Sequence, residues 1–238
     1  VGATSALSSL TPGGTWTSTN TTVASVDPAT GVMTGVTAGM ATISYSFSTG
    51  CAASLSVSVY ALPSPIAGVP FVCVGRTTTL ISSAGGKWTS SNTAIAQAGS
   101  STGIVSGIAT GTATITYSLA TGCYRTILMT VNPNPPAITG MIPLCVGATN
   151  TLSNAMTGGS WTSSDGTKAT VNVSTGLETA VAAGNPTITY TISTGCYATA
   201  TATINPPPPA ITGVMNVCEG TTRSEERRVG KECLRLCR

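Results

Sequence analysis

The sequence has no histidine, and only 7% of its 238 residues are charged. Imidazole acid–base catalysis, Ser–His and Cys–His nucleophiles and most zinc sites are thereby excluded. Before residue 223 the acids stand singly at Asp27, Asp165, Glu178 and Glu219, so no carboxylate pair for glycoside hydrolysis is visible. Asp27 and Asp165 also fall at unmatched places in the repeat described below, which argues against a repeated calcium loop. No catalytic, metal-binding or cofactor-binding residue is expected, and the chain reads as non-enzymatic. Long apolar runs are missing too. The longest are of strand length, so no segment reads as a membrane span or a leader.

Charge of one sign is scarce except at one end. Arg76, Lys87, Arg125 and Lys168 balance the four acids named above, and the whole net charge of +3 comes from residues 223–238. A nucleic-acid partner needs clustered bases on a folded face. Residues 1–222 offer none, and no nucleic-acid partner is expected. Residues 223–233, "RSEERRVGKEC", interrupt the repeat in mid-strand and resemble the in-frame translation of a sequencing adapter. The segment 223–238 is therefore set apart as a non-native tail.

What the chain does have is threonine, about a fifth of all residues, together with Val and Ile, a mixture suited to a pleated half-buried surface. It is also a repeat. "GGTWTSTN", "GGKWTSSN" and "GGSWTSSD" place Trp16, Trp88 and Trp161 at intervals of 72 and 73 residues. Tyr45, Tyr117 and Tyr190 recur at the same intervals, as do Cys51, Cys123 and Cys196 in "TGC". A further series, "VCVG", "LCVG" and "VCEG", supplies Cys73, Cys145 and Cys218, and the opening "VGAT" begins one residue after the corresponding place. The expected blocks are 1–60 (cut short at its start), 61–132 and 133–205, with 206–222 entering a fourth.

Within a block, alternation has period two. In Ala113-Thr-Ile115-Thr-Tyr117 the apolar residues face one way and the hydroxyls the other, as in a strand with one wet face. A short Gly turn leads into Ile127–Val131, which reads as a hairpin. About seven short strands per block, bounded by Gly, Ser and Asn, predict an all-β chain of tandem antiparallel sandwiches of immunoglobulin type. A Trp in the third strand of such a sandwich belongs to the core, as in Ig domains, and alternation places the three tyrosines with the buried aliphatics. Asn20, Asn92 and Asp165, four residues after each Trp, suit turns closed by their own side chains. Asn185-Pro186 stands where the other blocks have Met40-Ala41 and Thr112-Ala113, so the third block's strand is expected to start late. "NPNPPAITG" and "NPPPPAITG" predict extended, semi-rigid linkers.

The pattern "GGxWTSSN…STGxVxGxAxGTATITY" resembles the bacterial Ig-like group 2 domains over all of residues 1–222. The resemblance implies tandem sandwiches, export to the bacterial surface or beyond, and a spacer or adhesive role. The implied partner is a surface ligand, a glycan or another cell-surface protein. The alternative is a spacer or carbohydrate-binding module of a secreted carbohydrate-active enzyme; the binding module would need a Trp exposed in a groove.

Two cysteines per block at fixed register predict structural disulfides and an oxidising compartment. The first expectation pairs them within a block, Cys73–Cys123 and Cys145–Cys196, leaving Cys51 and Cys218 without partners. A bridge across a block junction, such as Cys73–Cys196, is the second. It follows from the opposite poles that "CVG" and "TGC" occupy in such a sandwich.

Overall fold

The structure, a computed structural model, describes residues 2–213, and every regular element among them is a strand. Alternating Thr/Val/Ile runs cut by glycine turns leave no helical stretch to form, because β-branched side chains pack better on a pleat than on a helix. Two compact units divide at Val131/Asn132. The first contains two sandwich cores and the second contains one.

In the first block β1 (Thr4–Ala6), β4 (Val32–Gly35) and β3 (Ala24–Val26) form one sheet, in that spatial order. The other sheet is β2 (Thr15–Ser18), β5 (Gly39–Ser46) and β6 (Ala52–Val59). The second block repeats this plan. Its strands are β7 (Phe71–Cys73), β8 (Thr77–Thr79), β9 (Lys87–Ser90), β10 (Ala96–Ala98), β11 (Ile104–Gly107), β12 (Gly111–Ser118) and β13 (Tyr124–Asn132). The orders are β8-β11-β10 and β7-β13-β12-β9. In the third block β15 (Thr149–Thr151), β18 (Leu177–Ala180) and β17 (Ala169–Val171) form one sheet. The second sheet joins β16 (Ser160–Ser163), β19 (Thr187–Thr191) and β20 (Tyr197–Thr201). The short lead strand β14 (Leu144–Cys145) pairs in parallel with β21 (Ile204–Asn205), the continuation of β20. Six, seven and eight strands per block compare with the seven expected.

Each core lies between the two sheets of its block. In the second block it gathers Val72, Leu80, Trp88, Val105, Ile115 and Met129, with the outward hydroxyls left to solvent. The third block's core gathers Leu144, Leu152, Trp161, Ile188 and Ile204 in the same way. The first block's core is thinner: its buried cluster is Val23, Ala24, Ala41 and Ile43. The segment that supplies Ile66 and Val72, or Ile138 and Leu144, has no counterpart there.

The third block's central strand does start late. β5 and β12 begin at Gly39 and Gly111, whereas β19 begins at Thr187, three residues beyond the matching Gly184. Pro186 still accepts a hydrogen bond from Ala202 N–H at 2.9 Å but has no N–H to return. The pairing resumes past it, where Gly184 and Ile204 exchange both backbone bonds.

Candidate functional site

The recurring tryptophans and tyrosines form one unit, built the same way three times. Trp16, Trp88 and Trp161 sit directly opposite Tyr45, Tyr117 and Tyr190 on neighbouring antiparallel strands. Their rings meet at 4.6, 4.6 and 4.5 Å, tilted by 42°, 48° and 49°, a geometry favourable to aromatic quadrupoles.

Each tyrosine hydroxyl then acts twice. It accepts the N–H of the glycine two residues before the Trp: Gly14 at 2.8 Å, Gly86 at 2.7 Å and Gly159 at 2.9 Å. It donates to a carbonyl further upstream, that of Thr11, Ser83 or Met156. A Cβ on Gly86 would lie 2.4 Å from the Tyr117 ring, so this position tolerates no side chain. Gly103, at φ +70°, brings a turn against the indole of Trp88, and Gly31 and Gly176 do so in the other blocks.

Trp88 and Trp161 are only 5% and 4% exposed, and Trp16 is half-buried beside its thinner core. Asn20, Asn92 and Asp165 each accept a backbone N–H two residues on through the side-chain oxygen, at 3.2, 3.0 and 2.9 Å. Hydrogen bonds from Thr167 hold the Asp165 carboxyl below its ordinary pKa, and those from Thr30 do the same for Asp27. These carboxylates close turns.

The cysteines are not arranged as the in-block scheme expected. Cys73, Cys145 and Cys196 are disulfide-bonded, whereas Cys51 and Cys123 are free thiols, so the Cys73–Cys123 bridge is absent. Strand geometry gives the reason. Cys73 lies beside Gly107 and Val131, at the far end of β13, while Cys123 immediately precedes the start of that strand. Eight steps of extended chain separate the two ends by about 27 Å. A disulfide requires Cα atoms within about 7 Å. In the third block Cys145 pairs with Asn205 at the end of β21 while Cys196 precedes β20, so Cys145–Cys196 is stretched in the same way. Cys218 and residues 223–238 lie outside the described residues.

Sequence reading missed one residue. Glu178 occupies the core-facing place that Met33 and Val105 hold in the other blocks; it is fully buried, and neither carboxylate oxygen has a hydrogen-bond partner. Burial raises its pKa above the ordinary value. The signal was available: "GLETA" aligns with "GVMTG" and "GIVSG", which puts a charge where they have an aliphatic.

A family model for the bacterial Ig-like domain (group 2) matches residues 7–50 and 129–204, together half of the chain. The chain belongs to that family. It is therefore a structural or adhesive repeat of the Ig-like class. No curated protein matches this Ig-like chain. Among solved structures, mouse cadherin-23 EC22–24 is 12% identical over 82% of this chain and 86% of its own, with a TM-score of 0.23. A C-terminal fragment of intimin, solved with the intimin-binding domain of its translocated receptor, is 14% identical over 70% and 57%, with a TM-score of 0.31. Domains 4 and 5 of the S-layer protein SbsC are 19% identical over 80% and 96%, with a TM-score of 0.23.

As a carbohydrate site, the Ig-like blocks offer little. A groove of about 460 Å³ runs past Trp161 between Ser153 and Ser174, and a smaller one of about 210 Å³ lies at the matching place beside Trp88. Both indoles are buried in their cores, so neither presents the flat platform that sugar stacking uses. Among the described residues, no three His, Cys, Asp or Glu side chains gather into a metal site, and no helix is long and apolar enough to cross a membrane.

Proposed function

We propose that this chain is a semi-rigid spacer segment of a large exported bacterial surface protein. It holds another module away from the cell and adds weak adhesive contacts to a surface glycan or protein. One observation carries the reading. The recurring Trp, Tyr, Gly and Asn or Asp are all used inside their own block: Trp against Tyr, Tyr against the Gly–Gly turn, Asn or Asp within its turn. None of these is aimed outward at a shared ligand. Export is supported by the oxidised cysteines, since disulfides persist in oxidising compartments.

The linkers support stiffness. Six residues join Val59 to Ile66 and six join Val131 to Ile138, and both stretches are proline-bearing rather than glycine-rich. Small-angle X-ray scattering on the intact chain tests the proposal. A compact body of this length has a radius of gyration of about 18 Å. The spacer reading expects a value well above that and an elongated distance distribution. A value near the compact one overturns it.

A further inference from the structure

We propose that residues 60–65 are a strap belonging to the second block, locked there by Arg125, and that this lock stiffens the joint between the first two blocks. All the residues concerned lie in the first compact unit. Pro63 is fully buried, although it stands in a stretch that reads as linker. Ser64 is tied twice: its N–H donates to Ser83 Oγ at 3.3 Å, and its carbonyl accepts from Ser82 Oγ at 2.8 Å. Ile66 then packs against the second core, and Ala67 and Ile81 exchange backbone bonds at 2.8 and 2.9 Å.

The strap recurs, but its lock does not. Pro135, at the place of Pro63 in the third block, is buried too. Asn154, at the place of Ser82, donates through Nδ2 to the Pro136 carbonyl at 2.7 Å. Arg125 has only Ala53 and Ala198 at its matching places. Its Nε donates to the Pro63 carbonyl at 2.8 Å. Residues 61–132 contain no Asp or Glu, so inside its own block the guanidinium has carbonyls to bond and no carboxylate. A charged donor makes that hydrogen bond one of the stronger kind.

The lock acts where packing is incomplete. A groove of about 430 Å³ is lined by Leu62, Pro65 and Ile66 from the strap side and by Tyr124, Arg125 and Thr126 from the start of β13. Arg125 bridges these two segments. Cys123 S–H adds a weaker bond to the Tyr60 carbonyl at 3.8 Å. Tyr60 directly follows β6, so only Ala61 and Leu62 separate the two pinned carbonyls. The last strand of the first block thus runs straight into residues that the second block holds. The lock rests on the spacer reading for its use, yet the two fail separately, because cleavage reads the strap and scattering reads the shape.

Limited chymotrypsin digestion of the intact chain tests the lock, read as the rate of cleavage after Tyr60. That side chain is exposed, so the bond is protected by the pinned backbone around it. Arg125→Ala should raise the rate about tenfold, the change that one hydrogen bond from a charged donor supports when cleavage follows the opened population. Cleavage after Tyr117, buried in β12, should not change. Arg125→Lys keeps a charged donor and should recover most of the protection, and Lys87→Ala should match the unaltered chain. An unchanged rate in Arg125→Ala overturns the proposal, as does Arg125→Lys cleaved as fast as Arg125→Ala. So does an equal rise after Tyr117, which would mean that Arg125 holds the whole block, or a comparable rise in Lys87→Ala.

Discussion

At the scale of single residues, Glu178 works against its own block. A carboxyl group in a place built for Met or Val must either lose hydration or stay protonated, and no donor compensates it. The folded chain raises this pKa above the ordinary 4.5 that the unfolded chain retains. Between the two values the folded state binds the extra proton, so stability falls as pH rises through that window and levels off above it. Glu178→Met should remove the penalty, raising stability at neutral pH by about 1–3 kcal/mol and flattening its dependence on pH. Urea denaturation of both chains at pH 4 and pH 7 checks this; equal stabilities at pH 7 would show that the buried carboxylate is accommodated.

The inward facing of the tyrosines was legible in the sequence because period-two alternation fixes which side chains share a face; their place opposite the tryptophans was not. Nor was the second task of the tyrosine hydroxyl, clamping the Gly–Gly turn. That bond joins residues 31 positions apart, and it is set by the closeness of a turn that only the folded pair of strands defines.

At the scale of elements, the strands and their turns followed from composition, down to the late start of β19. Loss of one donor at Pro186 explains why β20 and β21 are separate where β13 runs unbroken for nine residues. Pro186→Ala should restore the missing N–H toward Ala202 and rejoin the pairing, adding on the order of 1 kcal/mol. Amide hydrogen exchange provides the check: slower exchange at position 186 and at its neighbours is expected, and unchanged exchange would mean the break has another cause.

Cysteine connectivity was the part that sequence could not decide. Spacing along the chain is identical under both schemes, and the choice depends on which pole of the sandwich each cysteine reaches. That in turn depends on the length of β13, a strand about 27 Å from end to end. In-block pairing failed on distance, not on chemistry.

At the scale of the whole molecule, the three blocks each keep their own core cluster, so tension applied at the ends would load them one after another.

The most direct test of the central claim, that each block closes its own core around its own tryptophan, is single-molecule stretching of the chain in reducing buffer. The blocks should yield one at a time, each releasing about 250 Å of extended chain. A single event releasing the whole chain at once would mean one shared core, and would contradict the account.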